Sequence, residues 1–167
     1  MLEINGPVKN AKKAEILYWT IFSIYIAFLL KTAFEKGLPL RGAIDYGQFF
    51  LRGKNFAGKP IVNCYRLSHE LQFSGCAFTE TSSKLFDGIR KSSGEFKNLA
   101  DGIVVKYLAP LKNDEEKKLS VINWIWAFDD DKKIKKDVRQ FVTTAFRAHN
   151  KDLSLKVLPK FENTEMM

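Results

Sequence analysis

The sequence predicts a mixed α/β (α+β) domain, and three features carry that prediction. Residues Ile16 to Leu30, ILYWTIFSIYIAFLL, form an uncharged apolar run of helical length. Residues 38 to 79 read as strand, glycine turn, helix and strand. Beyond residue 103, two β-like runs precede an amphipathic helix. At 167 residues, 46% hydrophobic and 28% charged, the chain suits one domain, 1–167, able to bury a core, and its composition excludes a largely disordered chain.

The first element is a long apolar helix within 11–37. Asn10 is placed to cap it, Gly37 to end it, and Pro39 to prevent its continuation. The fifteen uncharged residues from Ile16 to Leu30 reach ~22 Å as a helix, short of the ~30 Å hydrocarbon core. A core helix is therefore expected rather than a membrane span, although Lys12, Lys13 and Lys31 flank it as interfacial anchors would.

A strand follows from Leu40, with Leu40, Gly42, Ile44, Tyr46 and Phe50 on one face and Arg41, Ala43 and Asp45 on the other. Gly53 turns the chain. A helix starts between Ala57 and Pro60, where proline is tolerated because first-turn amides lack helical partners, and runs to about Leu71. Its core face is Ile61, Cys64, Leu67 and Leu71. Gly75 to Thr79 is a short strand, and Thr81 or Ser82 caps a helix ending near Ile89, before a loop at Ser92-Ser93-Gly94. Ile103 to Leu111 and Leu119 to Phe128 read as a hairpin whose loop, Asn113 to Lys118, is charged. Asp129 to Asp131 open the last helix, with Ile134, Val138, Phe141, Val142, Ala145 and Phe146 as its apolar stripe.

The formal charge of +8 attracts anions, whether nucleotides, nucleic acid or acidic lipid. Two cysteines do not make a disulfide framework, and the N-terminus lacks a signal-peptide pattern, so a cytoplasmic location is expected. Gly53-Lys54-Asn55-Phe56-Ala57-Gly58-Lys59-Pro60 is one residue away from a phosphate-binding P-loop, with proline where the magnesium-holding hydroxyl belongs. A glycine turn feeding a helix still offers amides and a dipole to an anion, with Lys54 and Lys59 beside it. Cys64, His69 and Cys76 lack zinc-ligand spacing, and Asp129 to Asp131 read as helix-capping acids rather than a magnesium site. Lys132, Lys133, Lys135 and Lys136 alternate with the apolar stripe as a solvated face, so no nucleic-acid partner is expected.

Three runs, Arg41-Gly42-Ala43-Ile44-Asp45-Tyr46-Gly47, Phe56-Ala57-Gly58-Lys59 and Tyr65-Arg66-Leu67, together resemble the second half of the catalytic domain of class III nucleotidyl cyclases. The resemblance is closest to the divergent bacterial branch that includes pyrimidine cyclases. It continues through Lys106 to Lys112, Asn123-Trp124 and Lys160 to Thr164, covering about residues 11 to 165. It implies a ferredoxin-like cyclase fold over 38–165, conversion of a nucleoside triphosphate to a 3′,5′-cyclic nucleotide and pyrophosphate, and a role in antiviral signalling.

By that resemblance Arg66 is the transition-state arginine, whose planar fork suits phosphate oxygens. Asn55 takes the base-reading position, an amide where purine cyclases carry an acid. Those cyclases also carry an asparagine four residues before the arginine; here Val62 stands there and Asn63 is adjacent. Lys112 or Lys106 corresponds to the family's triphosphate-contacting lysine, and Lys59, beside the glycine turn, and Asn63 are further nucleotide-binding candidates. The family binds Mg²⁺ or Mn²⁺ through two aspartates that would precede the apolar helix, where only Glu3 is acidic. The resemblance therefore implies an N-terminally incomplete cyclase domain, inactive alone, that works as a homodimer or with a complementing cyclase subunit. A non-catalytic nucleotide-binding or dimerisation module and a small membrane-associated protein are the alternatives.

Overall fold

The computed structural model describes residues 8–92, 97–112, 115–128 and 138–149. Glu3, the Ser93-Gly94 loop, Asn113 and Asp114, the segment from Asp129 to Lys136, and Lys160 to Thr164 lie outside the described residues. Within them the fold is α+β. It comprises α1 (Val8–Glu35), β1 (Arg41–Ile44), β2 (Phe50–Arg52), β3 (Asn55–Ala57), α2 (Lys59–Glu70) and β4 (Gly75–Phe78). Then follow α3 (Glu80–Ser92), α4 (Lys97–Ile103), β5 (Val104–Pro110), β6 (Glu116–Ile122), a 3₁₀ helix (Trp124–Phe128) and α5 (Val138–Ala148).

The main sheet has the order β1-β4-β6-β5. β1 and β4 are parallel, in register from Arg41 opposite Gly75 to Ile44 opposite Phe78, so the chain between them must cross over, and α2 is that crossover. β4 meets β6 antiparallel at Ala77 and Val121, and β5 and β6 form a seven-residue antiparallel hairpin. The strand alternation sends Cys76, Phe78, Val104 and Ile122 into one core with α1 and α3, while Ala77, Tyr107, Leu119 and Val121 meet Leu67, Leu71 and Phe73 on the opposite face.

Helix α1 packs one face inward through Ile16, Trp19, Ala27, Leu30 and Phe34. Thr20 and Ser23 share that face because their hydroxyls donate back to the Ile16 and Trp19 carbonyls at 2.9 and 2.8 Å. Asn10 lies inside the helix rather than capping it, since helix already exists at Val8. The far end behaves as predicted: Gly37, at φ 64, lets the Leu38 amide reach the Ala33 carbonyl at 2.8 Å and its own amide reach that of Phe34 at 2.9 Å. The length argument against a membrane span does not survive, because the apolar helical stretch Ala14–Glu35 has 22 residues, about 33 Å. What distinguishes α1 is that one face is committed to this protein's core and the other, with Tyr18, Ile21, Tyr25, Phe28 and Leu29, is exposed.

Five boundaries depart from the sequence expectation. The first strand stops at Ile44 rather than running to Phe50, and Phe50 begins the separate β2-β3 hairpin that Gly53 turns at φ 61. Thr79, rather than Thr81 or Ser82, caps α3: its hydroxyl accepts the Ser82 amide at 3.4 Å and its carbonyl the Ser83 amide at 2.8 Å. Ser82 instead reaches across to the Ile44 carbonyl at 2.6 Å. Glu116 to Lys118 belong to β6, not to a loop, because that end of the strand pairs only with β5 and is solvated on both faces. Residues 124 to 128 are 3₁₀ helix rather than strand, and Ile103 closes α4, which the sequence reading had not anticipated. A continuous apolar run does not reveal its own period.

An aromatic ladder ties these pieces together. Phe34 of α1 stacks on Trp124 at 4.3 Å, Trp124 meets Phe128 edge-on at 5.8 Å, and Phe128 meets Phe141 of α5 at 5.1 Å. Lys31 lies 4.6 Å over the Phe128 ring, a cation–π contact. The Trp124 indole N–H is buried without a hydrogen-bond partner among the described residues. Trp124→Ala should therefore cost about 3–5 kcal/mol in denaturant titration. Trp124→Phe should cost far less, since it keeps the stacking and removes an unpaired donor.

Cys76 sits in this core against Gly42, where a β-carbon would lie 3.4 Å from its sulfur. Burial, with a smaller contribution from Cys64, pushes its thiol up to about 12. A raised folded-state pKa means that the neutral thiol's contribution is complete below the ordinary value of 9.0 and is lost as pH rises toward 12. Wild-type stability should fall more steeply than that of Cys76→Ala over this window, by up to about 1.4 kcal/mol per pH unit. Denaturant titration at stepped pH measures the difference.

Candidate functional site

Parallel pairing brings the carboxyl ends of β1 and β4 to the same edge of the sheet, the place where open α/β sheets bind ligands. Asp45 follows β1 and Thr79 follows β4. The Asp45 carboxylate accepts the Asn63 side-chain amide at 2.7 Å, the Tyr46 backbone amide at 2.9 Å and the Thr79 hydroxyl. Burial, and then the Asp45 charge, push the nearby Cys64 thiol up, with the Asp45 backbone amide opposing them. Asp45 thus fastens α2 to the ends of both parallel strands.

Beside this network lies a cleft of about 530 Å³, within the usual range for small-molecule sites. One stripe of α2 forms a wall: Asn63, Arg66, Leu67 and Glu70, spaced as residues on one helical face. The first turn of α3 forms a second wall through Glu80, Thr81 and Ser83, and β6 closes the cleft with Lys117, Lys118 and Ser120. Lys84 pairs with Glu80 at 2.7 Å, which holds the Glu80 carboxyl below its usual range. Among the described residues Arg66, Lys117 and Lys118 have no ion-pair partner. Arg66, Lys84, Lys117 and Lys118 stand against Glu70 and Glu80 in this lining, so with its hydroxyls and the amino end of α3 the cleft carries a net positive charge.

The sequence-predicted residues are only partly gathered here. Arg66 and Asn63 share the cleft, and Asn63 rather than Val62 is the asparagine on the arginine's face. Asn55 and Lys59 do not line it: Asn55 opens β3 in the exposed hairpin, and Lys59 begins α2, about 10 Å along the helix from Arg66. Lys112 lies beyond the other end of α2, its amine on the Nδ1 of His69. Lys106 already donates to Ser120 at 2.7 Å, Asp87 at 2.8 Å and Ser83 at 3.2 Å, pinning β5 to β6 and α3.

The start of α2 is also less available to anions than its glycine turn suggests. The Ile61 and Val62 amides bond to the Gly58 carbonyl and Pro60 has none, leaving only the Lys59 amide. Gly58 itself is required by packing, since a β-carbon there would lie 2.8 Å from that of Phe49. No three His, Cys, Asp or Glu side chains among the described residues are grouped to hold a metal ion. The Mg²⁺ or Mn²⁺ implied by the cyclase resemblance therefore finds no ligand set there.

Sequence reading missed Asp45, Thr79, Lys84, Lys117 and Lys118. Asp45 stood inside a quoted motif, between a strand and Tyr46-Gly47, but its partners lie 18 and 34 residues away. Lys117 and Lys118 were hidden by their assignment to a loop. No protein-family model, curated protein or solved structure matches this chain.

Asp45→Ala should destabilise the fold by about 2 kcal/mol, because it strands the amide of Asn63 and the hydroxyl of Thr79. In a double-mutant cycle with Asn63→Ala, measured by chemical denaturation, the pair should couple by about 1 kcal/mol or more. Additive losses would show that the two side chains act separately.

Proposed function

We propose that this chain is the phosphate-holding part of a nucleotidyl cyclase-like domain, binding the polyphosphate of a nucleoside triphosphate in the cleft between α2, α3 and β6. One observation carries the reading: Arg66 and Asn63 of α2 converge with Lys117 and Lys118 at the amino end of α3, around a volume suited to a small anionic ligand. The cyclase resemblance implies a phosphate-contacting role for Arg66. The ferredoxin-like arrangement it implies is part of this proposal. The parallel pair β1 and β4 with its crossover helix is the supporting element.

In this reading Arg66 clamps phosphate oxygens through its planar fork, which gains strength as negative charge shifts during displacement at the α-phosphorus. Lys117 and Lys118 hold the rest of the polyphosphate as point charges, and the free amides of α3 add oriented dipoles. Asn63, fixed by Asp45, presents its remaining polar atoms beside Arg66. No metal-ligand group is found among the described residues. Cyclisation requires carboxylates from elsewhere, and a second cyclase subunit is the proposed source.

A non-catalytic nucleotide-binding module is the second reading, favoured by the same absence of grouped carboxylates beside an intact cationic cleft. The two readings separate by experiment. Fluorescent nucleoside triphosphate should bind the isolated chain with an affinity that falls with added salt. Arg66→Ala and Lys117→Ala should each weaken binding roughly 10- to 100-fold, the loss of one charge-assisted contact. Cyclic product from ATP, GTP, CTP or UTP with Mn²⁺, when the chain is mixed with a metal-competent cyclase subunit, would mark the catalytic role; binding without product would mark the module. Unchanged affinity in both variants would remove the cleft from consideration.

A further inference from the structure

A second cavity, of about 520 Å³, lies on the other side of α2, where α1, β1 and α2 meet. Its walls are apolar: Trp19, Phe22, Ile26 and Leu30 from α1, and Pro60 and Cys64 from α2. Its floor is the outer edge of β1, which ends the sheet. The hydrogen bonds of β1 show which groups face that floor. The Leu40 and Ile44 carbonyls accept the Gly75 and Thr79 amides, both at 2.9 Å, so Leu40, Gly42 and Ile44 direct their backbone groups toward β4. By alternation, the amides and carbonyls of Arg41 and Ala43 point the other way, into the cavity, and no hydrogen bond satisfies them there among the described residues.

Four outward backbone groups at strand spacing, between two apolar walls, fit an extended polypeptide and little else. The apolar surface continues past the cavity. Tyr18 is 62% exposed and Tyr25 70% on α1, and Phe49 and Phe50 are 59% and 80% exposed where the chain leaves β1 for the hairpin. Apolar exposure of this extent marks a surface that is normally covered.

Charge identifies the occupant. Among the described residues the charged side chains lining the cavity, Arg41 and Asp45, are engaged internally: the Arg41 guanidinium donates to the Leu71 carbonyl at 2.7 Å, and Asp45 is held as described above. The cavity itself therefore asks for apolar side chains. The adjoining hairpin and helix start carry exposed Arg52, Lys54 and Lys59. A second copy of this chain would bring the same cations and the same net charge of +8. We infer that the groove between α1 and α2 receives an extended segment of a different polypeptide, apolar along its length, because both walls are apolar, and acidic at its ends, which adds to β1 as a fifth strand of the sheet. This inference does not rest on the nucleotide reading.

The probe is a short blocked peptide of valine and alanine, with glutamates at both ends. Added to the full chain, it should slow hydrogen exchange at the Arg41 and Ala43 amides and shift tryptophan fluorescence through Trp19. Ala43→Pro removes one outward donor and leaves the β4 ladder intact, so it should weaken binding roughly tenfold. Ala43→Ser, which keeps the amide, should bind as wild type does. Leu29→Lys, at an exposed position on the groove wall, should lose affinity by a similar factor and tests the same site if the proline variant fails to fold. A lysine-ended peptide should bind more weakly than the glutamate-ended one. Equal binding of the two peptides, unprotected amides with either, or undiminished binding by both groove variants would overturn the inference. So would sedimentation showing a dimer of this chain in which the same amides are protected without peptide, since the occupant would then be a second copy.

Discussion

Parallel pairing of two four-residue strands is the constraint on which the rest of this structure depends. Antiparallel neighbours can be joined by two residues, whereas a parallel pair requires the chain to return along the sheet. That return is α2, preceded by the β2-β3 hairpin. Once it is made, Asp45 and Thr79 emerge side by side, α3 starts beside them, and α2 presents one stripe to the cleft and another to the groove. The Asp45 carboxylate fixes this junction with three hydrogen bonds, an arrangement well suited to a charge that is only half exposed. Neither surface exists without the crossover.

The sequence disclosed elements where local chemistry decides and failed where tertiary pairing decides. Gly37 and Gly53 adopt the positive φ that their positions suggested, and Gly58-Lys59-Pro60 starts a helix as expected. The limits of β6 were not legible, because Glu116 to Lys118 look like loop until β5 supplies their partners. Nor was the 3₁₀ segment, whose apolar residues are buried on several sides and therefore show no period. The candidate site followed the same division. Arg66 and Asn63 were visible through helical spacing and a family resemblance. The residues that complete their cleft come from α3 and β6, about 15 to 55 residues further along the chain, and only the fold brings them near.

Electrostatics explains why the cleft remains open to anions despite acids nearby. Glu80 is paired with Lys84, and Asp87 with Lys106, so those carboxylates are already neutralised locally. Glu70, one helical turn from Arg66, has no ion-pair partner among the described residues, so Arg66, Lys117 and Lys118 less that one carboxylate leave a surplus of two positive charges. Surface pairs such as Lys84 with Glu80 add little stability. Their effect here is to prevent those acids from competing for the arginine. A chain with a net charge of +8 repels itself, and an anion bound between its cations relieves that repulsion locally.

The apolar groove and the cationic cleft are opposite sides of one helix, and this limits how independent they can be. Cys64 lines the groove, and Asn63, its neighbour in sequence, lines the cleft and donates to the Asp45 carboxylate. A strand entering beside β1 would press on α2 through Pro60 and Cys64, and any shift of the helix would carry Arg66 with it. Helices move as rigid units more readily than they deform, because each residue is tied to its helical neighbours by hydrogen bonds. A groove ligand that shifted α2 would therefore change the position of Arg66 relative to Lys117 and Lys118. The linkage is reciprocal by thermodynamic necessity: whatever a groove ligand does to anion affinity, the anion does to the affinity of the groove ligand.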